Sequence, residues 1–309
     1  MHLLDIVLPV FLVIGAGYGL RRSRFLRAEE TAALSRLVFY VAAPALLLRS
    51  VSRYSFDWSR SAPMLLVMGG VSVLLAAGVY LASRPLAPER RGVLAQGAQR
   101  SNTVFVGLPI VLAAFGDRAL ATASIVIAFM VIVENFVAVT VLTLPHRRRS
   151  ARDPLLWGAT ALRILRNPLI IGCGGGLLLA LVGLHLPASI DRTLDLIGRT
   201  AAPLGLLTVG AGLDFRKLRG AVSLTALAAV IKLALHPALV FVGLRALRLT
   251  DLALGVPVLI AACPTAVVSY IMAREMHGDR SLASAIVIGT TAASLLTLLG
   301  WLALLGCAD

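Results

Sequence analysis

Apolar residues are grouped along this chain into long runs, and short polar connections separate each run from the next. A run of about 20 apolar residues is long enough to cross the hydrocarbon core of a bilayer as an α-helix. The pattern predicts spans at residues 3–20, 33–50, 62–82, 93–115, 120–144, 164–184, 194–213, 221–244, 252–274 and 282–306. An outer-membrane barrel would instead alternate apolar and polar residues over strands of about ten residues, and the sequence lacks that alternation.

The composition agrees with a protein embedded in the lipid bilayer. Of the 309 residues, 59% are hydrophobic and 14% are charged, and the mean hydropathy is +0.90. A soluble domain of this length has too little interior to bury so much apolar surface. The predicted fold class is therefore an all-α polytopic membrane protein with ten transmembrane helices.

The net charge of +14 could suggest a nucleic-acid partner, but the positions of the basic residues argue against it. They lie in short connections between apolar runs, where the positive-inside rule places them. Sixteen Lys and Arg residues fall in one set of alternate connections and six in the other. The richer set should be cytoplasmic, which puts both termini outside. We therefore predict a multi-pass protein of the plasma membrane, the inner membrane of a bacterium, with no nucleic-acid partner.

An eight-residue segment occurs twice. Gly116–Ala123 reads GDRALATA and Gly278–Ala285 reads GDRSLASA. The match predicts two five-helix repeats, residues 1–145 and 161–309, joined by a basic cytoplasmic loop at 146–160. Because five is odd, the second repeat must enter the membrane in the opposite sense, as in many secondary transporters.

Spans four and nine carry polar and helix-breaking residues at matching places in the two repeats. Pro264 lacks an N–H and clashes with the preceding turn, so the helix opens there. Lipid cannot satisfy the freed backbone groups, and such a break persists only inside the protein or beside a wet cavity. Free N–H groups and the positive end of a half-helix favour an anion, and Arg100 adds positive charge. The predicted substrate-binding residues are Arg100, Ser101, Asn102, Thr103, Cys263, Pro264 and Thr265.

The alternative for these spans is a kinked helix that only packs against its neighbours. Pro44 and Pro203, at matching places in spans two and seven, are interpreted as hinges or as simple kinks, and Gly107 and Pro109 are further hinge candidates. The glycine run at 172–176 predicts close helix packing.

Two further charges interrupt apolar runs. Glu134 lies in span five, and Lys232 lies in span eight, four residues before His236. A lone charge at the bilayer centre costs about 3 kcal/mol or more, so pairing is expected. We predict a contact between Glu134 and Lys232, which would be either a switch linked to protons or substrate or a structural ion pair.

No metal site or cofactor is predicted. Cys173, Cys263 and Cys307 lack the spacing of metal ligands or of a disulfide framework. The acidic residues of the spans are too few for a cation site built from converging carboxylates.

At spans four and nine the sequence resembles the auxin efflux carrier family, and within it the bacterial branch that is similar to malonate transporters. Plant members carry Asn-Pro-Asn-Thr-Tyr in span four, and this chain keeps the second Asn and the Thr as Asn102 and Thr103. Pro264 matches the family's crossing proline, and Ala273-Arg274-Glu275 is similar to its Ala-Lys-Glu.

The resemblance implies a scaffold of helices 1, 2, 6 and 7, a transport part of helices 3–5 and 8–10, and elevator-like movement. It also implies homodimers formed through the scaffold helices. Asn102 takes the role of an Asn that helps to hold the substrate carboxylate, and Glu134 and Lys232 match the family's acid and lysine. The departures from the plant motif lie inside the binding segment, so plant substrate identity does not transfer.

The leading hypothesis is a secondary transporter of a small organic anion, a carboxylate or dicarboxylate similar to malonate or auxin. A membrane-embedded sensor and a membrane-embedded enzyme are the alternatives. The spans contain neither a carboxylate pair nor a nucleophile with an adjacent base, so we predict that the chain is not an enzyme.

Overall fold

A computed structural model describes residues 3–53, 58–144, 162, 166–213 and 222–306. Within this part the chain is almost entirely helical, joined by short turns. The basic loop at 146–160, the basic residues at 216–219 and Cys307 lie outside the described residues.

The helices are numbered here in chain order. They are α1 Leu3–Arg22, α2 Ala28–Ser52, α3 Trp58–Ala82, α4 Pro88–Gly97, α5 Thr103–Phe115, α6 Asp117–Thr143, α7 Pro168–Val182, α8 Ala188–Gly198, α9 Ala201–Ala211, α10 Val222–Ala246, α11 Asp251–Ala262, α12 Val268–Glu275 and α13 Arg280–Leu304.

Six of the described helices are long and apolar enough to cross a membrane: α1, α2, α3, α6, α10 and α13. Each coincides with a predicted span, so the helical, membrane-spanning class is confirmed. The spans predicted at 93–115, 194–213 and 252–274 are each divided into two shorter helices. The total of ten spans therefore stays a prediction.

Prolines determine where several helices change geometry. The π-helical turns Val38–Ala42, Thr103–Gly107 and Ile231–Leu235 each end two residues before a proline. Because a proline ring clashes with the carbonyl one turn earlier and offers no N–H, a widened turn before it is a common accommodation. The three prolines in question are Pro44, Pro109 and Pro237.

Pro203 acts differently. It lies in the first turn of α9, where a missing N–H costs little. The helix is interrupted just before it, at Arg199 and Thr200. The break separates α8 from α9 within the predicted span 194–213.

The glycines of α7 allow the two halves of the chain to pack closely, as predicted. A Cβ at Gly172 would lie 2.7 Å from the Pro44 carbonyl oxygen, and one at Gly176 would lie 2.6 Å from the Leu48 carbonyl oxygen. A Cβ at Gly174 would meet nothing within 4 Å. The backbones of α2 and α7 are therefore in contact along the face that carries Gly172 and Gly176.

Charged side chains join α2 to α8 at one end of this packed pair. Arg49 donates to Asp191 at 3.1 Å and to Asp195 at 2.7 Å. Arg53 also pairs with Asp191. Partial desolvation raises the pKa of Asp191, but hydrogen bonds and charge from the two arginines outweigh it and hold the pKa below its usual range.

The repeated octapeptide marks the start of a long helix in both halves. Asp117 begins α6, and Asp279 precedes α13 and accepts a hydrogen bond from Leu282 N at 3.0 Å. Arg90 pairs with Asp279 at 2.9 Å and so joins the start of α4 to the start of α13. The repeat in sequence thus corresponds to a repeat in local structure.

Replacing Gly172 by Ala should destabilise the protein, because the new methyl group overlaps the Pro44 backbone. Overpacking of this kind costs about 1–3 kcal/mol. Gly174→Ala is the matched control, since it adds the same methyl group to the same helix in open space and should be neutral or slightly stabilising. Thermal unfolding in detergent, followed by size-exclusion chromatography, compares the two variants. Equal melting temperatures would contradict the close packing of α2 and α7.

Candidate functional site

Two interrupted helices meet in the interior. The first interruption lies between α4 and α5, and the second lies between α11 and α12. Asn102 N donates to the Pro264 carbonyl oxygen at 2.8 Å, and Ala266 N donates to the Arg100 carbonyl oxygen at 3.2 Å. Ser101 and Thr265 form an antiparallel bridge between these two bonds. The structure therefore brings the polar segments of spans four and nine together, and we call this arrangement the crossing.

Local sequence explains why the backbone leaves the helix at these positions. Pro264 cannot donate a hydrogen bond, and the preceding Cys263 is extended, with φ −65° and ψ 153°. In the interruption between α4 and α5, Asn102 has φ −79° and ψ 68°. The Asn102 carbonyl oxygen accepts from Val106 N at 3.2 Å and from Gly107 N at 2.9 Å, which begins the wide turn of α5.

Side chains from neighbouring helices satisfy the backbone groups that the interruptions free. The Thr265 N–H donates to Thr290 Oγ1 of α13 at 3.0 Å. The Thr265 hydroxyl in turn donates to the Gly97 carbonyl oxygen at 2.7 Å. Ser101 N donates to Glu134 Oε1 at 2.9 Å. Because a buried backbone group without a partner is costly, these bonds keep the crossing in place.

Lys232 provides a hydrogen-bond donor for the interruption between α11 and α12. Its Nζ donates to the Ala261 carbonyl oxygen at 2.5 Å and lies 3.4 Å from His236 Nδ1. His236 Nε2 lies 3.0 Å from Ser72 Oγ, which joins α10 to α3. Lys232, His236 and Ser72 are all fully buried.

The direct ion pair expected between Glu134 and Lys232 is not formed. The physical reason is that each charged group has a nearer backbone partner: Glu134 accepts from Ser101 N, and Lys232 donates to the Ala261 carbonyl oxygen. Glu134 therefore stabilises the interruption between α4 and α5, and Lys232 stabilises the one between α11 and α12.

Arg100 points from the crossing toward α6 and α12. Its Nη2 donates to Asn135 Oδ1 at 3.1 Å, and its Nη1 lies 2.9 Å from Met272 Sδ. Its Nε has no hydrogen-bond partner within the described part of the chain, although Arg100 is only 5% exposed. The guanidinium is thus held in place but not fully satisfied.

Buried charge at the crossing is unbalanced. Across the described ranges, the buried residues with formal charge are Arg100, Glu134 and Lys232, which are two cations and one anion. A buried charge without a counter-charge is strongly unfavourable, and more so in a membrane. The crossing therefore carries an excess positive charge that a bound monoanion would neutralise.

Several predicted binding residues offer free hydrogen-bonding groups. Neither Asn102 nor Thr103 makes a side-chain hydrogen bond to any other described residue, and Ser101 Oγ is buried without a partner. Cys263 is fully buried, and its thiol is engaged with the Leu259 carbonyl oxygen at 3.1 Å, so it forms part of the wall. Pro264 and Thr265 shape the crossing through the backbone.

Sequence reasoning missed other polar residues at this place. Gln96, Gln99 and Ser269 are buried next to the crossing, and Thr290 reaches it from α13. One signal was available: Gln96 and Gln99 are the two glutamines of the chain, three residues apart in span four. The contribution of Thr290 could not be read from the sequence, because α13 lies next to the crossing only in the tertiary structure.

Comparisons with known proteins extend the resemblance over almost the whole chain. A family model described as "Membrane transport protein" matches residues 2–302. A "Putative malonate transporter" of Rhizobium meliloti (strain 1021) is 25% identical over 307 residues, covering 97% of this chain and 95% of the relative. A "Probable auxin efflux carrier component 5c" of Oryza sativa subsp. japonica is 26% identical over 370 residues, covering 96% and 95%. An "Uncharacterized transporter" of Methanothermobacter thermautotrophicus is 26% identical, covering 96% of both chains.

Replacing Glu134 by Gln should destabilise the fold while leaving an oxygen acceptor for Ser101 N. The change leaves Arg100 and Lys232 without a buried anion, which should cost about 3 kcal/mol. The double variant Arg100→Gln/Glu134→Gln restores the original net charge and should be more stable than Glu134→Gln alone. Thermal unfolding of the wild type, Arg100→Gln, Glu134→Gln and the double variant forms a double-mutant cycle. A double variant that is no more stable than Glu134→Gln would contradict the charge balance.

Proposed function

The chain belongs to the auxin efflux carrier family of membrane transport proteins, and we propose that it is a secondary transporter for a small organic anion that binds at the crossing. The resemblance found at spans four and nine is thus confirmed. Since the family consists of transporters, the enzyme hypothesis is set aside. A sensor that binds the anion without moving it remains the competing hypothesis.

The observation that carries the proposal is the excess positive charge beside unpaired side chains. The buried cations Arg100 and Lys232 outnumber the buried anion Glu134. The side chains of Asn102 and Thr103, which follow Arg100 in the chain, make no hydrogen bond to another described residue. A carboxylate supplies one negative charge and two oxygens that accept hydrogen bonds. It would balance the charge and engage the Asn102 amide and the Thr103 hydroxyl at the same time.

The proposed substrate class is a carboxylate or dicarboxylate. The names of two relatives, a "Putative malonate transporter" and a "Probable auxin efflux carrier component 5c", describe carriers of such anions and favour this class for the present chain. The charge of the crossing supports the same class independently.

The proposed topology is two inverted repeats of five spans each. Matching interruptions between α4 and α5 and between α11 and α12, with an octapeptide that begins α6 and α13, support this arrangement. The distribution of Lys and Arg favours termini outside the plasma membrane of a bacterial cell.

The proposed mechanism is elevator-like alternating access. The scaffold would contain α1, α2, α7, α8 and α9, where α1 packs along α9 and α2 along α7. The remaining helices would carry the crossing as one body. Pro44, Gly107, Pro109 and Pro203, each at a change of helix geometry or beside one, are the proposed hinges, and the scaffold is the proposed homodimer interface.

Replacing Asn102 by Ala should abolish most transport without unfolding the protein. Loss of an amide that bonds a charged group costs about 1.5–3 kcal/mol, which weakens substrate binding roughly 10- to 100-fold. Pro264→Ala should also abolish transport, because the added N–H allows α11 to continue through the crossing. Uptake of labelled carboxylates into proteoliposomes measures both effects.

Asn167→Ala is the control for these variants. It removes an asparagine that caps α7 by accepting from Leu169 N at 2.9 Å, and it lies in a different part of the chain. Normal flux in both crossing variants would remove the site assignment. Carboxylate binding to the wild type without any flux would favour the sensor.

A further inference from the structure

A group of buried polar atoms next to the crossing has no partner within the described residues. Gln99 is fully buried, and both polar atoms of its side chain, Oε1 and Nε2, are unpaired. The buried atoms Gln96 Oε1, Ser269 Oγ and Arg100 Nε are also unpaired. Leaving a buried donor or acceptor unpaired costs about 1–3 kcal/mol. Since native proteins seldom leave several such groups together, this cluster needs a partner that is present when the protein works.

The unpaired groups come from both repeats, and Gln96 and Ser269 lie on the same side of the crossing. Gln96 lies at the end of α4, Gln99 follows it, and Ser269 is in the first turn of α12. Gln96 and Arg100 both reach Met272 of α12. This is the side of the ion pair between the starts of α4 and α13, which the charge distribution predicts to be cytoplasmic.

A narrow cleft lies between α4 and α12. Gln96, Gly97, Thr265 and Ser269 line it, together with apolar side chains of α4 and α13. In this conformation the cleft is too narrow to admit a water molecule. A ligand could reach Gln96 and Ser269 through this cleft only if α4 and α12 moved apart.

Arg100 belongs to the charge balance of the crossing, and the other unpaired groups differ from it in chemistry. A glutamine amide and a serine hydroxyl each donate and accept hydrogen bonds, and neither carries charge. A second carboxylate could only accept, so the glutamine carbonyl oxygens would stay unpaired. It would also reverse the charge balance, because one carboxylate already neutralises the excess positive charge. An uncharged group that both donates and accepts, such as a hydroxyl or a carboxamide, fits both conditions.

We propose that Gln96, Gln99 and Ser269 form a selectivity subsite that holds an uncharged hydrogen-bonding group of the substrate. The favoured substrate is then a small monocarboxylate that carries a hydroxyl or a carboxamide. This inference rests on the proposed function, since the carboxylate of the same molecule occupies the crossing.

The first test compares four ligands of similar size with purified wild-type protein. Propionate has no second polar group, 3-hydroxypropionate adds a hydroxyl, malonamate adds a carboxamide, and malonate adds a second carboxylate. Thermal shift at neutral pH should rank 3-hydroxypropionate and malonamate about 10-fold tighter than propionate, because one or two neutral hydrogen bonds are gained. Malonate should bind more weakly than malonamate. Equal affinities across the series, or a preference for malonate, would overturn the inference.

The second test removes the subsite. Gln99→Met and Gln96→Met keep the length of the side chain but lose its donor and acceptor, and each should reduce the ratio of malonamate to propionate affinity at least threefold. The double variant should bring the ratio close to one. Ser124→Ala is the control, since it removes a buried hydroxyl that bonds only within α6 and should keep the wild-type ratio. An unchanged ratio in the double variant would refute the subsite.

The outcomes separate this inference from the proposed function. If no carboxylate binds the wild type and Asn102→Ala has no effect on flux, the proposed function fails. If carboxylates are carried through Asn102 but the second group makes no difference, only the subsite fails. Should the glutamine variants not fold, the ligand series with wild-type protein still decides the question.

Discussion

The crossing depends on one constraint: a backbone that leaves the helix inside a membrane protein must find every hydrogen-bond partner within the protein. Lipid offers none, and an unpaired N–H or carbonyl there is costly. Two interrupted helices meet this requirement by bonding to each other, through Asn102 N to Pro264 and through Ala266 N to Arg100. Side chains of neighbouring helices satisfy three further backbone groups, the N–H groups of Ser101 and Thr265 and the Ala261 carbonyl oxygen. Thr290, Glu134 and Lys232 are therefore structural supports of the crossing before any role in transport is considered.

The same constraint explains why charge is found at this depth. Glu134 accepts from the Ser101 N–H, and Lys232 donates to the Ala261 carbonyl oxygen. A neutral hydroxyl could make similar bonds, but these two side chains bring one negative and one positive charge into the interior. Arg100 then provides an additional positive charge beside unpaired amide and hydroxyl groups. Stability and the proposed anion binding thus depend on the same few residues.

Close backbone packing joins the helices that surround the crossing. Glycines of α7 remove the side chains that would separate it from α2, and Gly17 and Gly210 do the same where α1 meets α9. In lipid there is little hydrophobic drive between helices, so close backbone contact and its dispersion energy supply much of the association. Arg49 with Asp191 and Asp195 adds ionic contacts at the end of the α2–α8 pair. Helices from the first and second halves are joined in each of these contacts.

The sequence by itself determined the helical membrane class, the positions of the long spans and the two interruptions that meet at the crossing. It could do so because apolar run length, proline chemistry and glycine spacing act locally, within one turn or one span. It also placed the polar segment around Asn102 and the segment around Pro264 at matching positions of the two repeats. Only the tertiary structure decided which groups satisfy the crossing. Lys232 binds the Ala261 carbonyl oxygen rather than Glu134, Thr290 arrives from a distant helix, and Gln96 and Gln99 remain unpaired. Those outcomes depend on distances between helices far apart in the chain, and hydrophobic patterning carries no information about which buried polar group lies nearest to which.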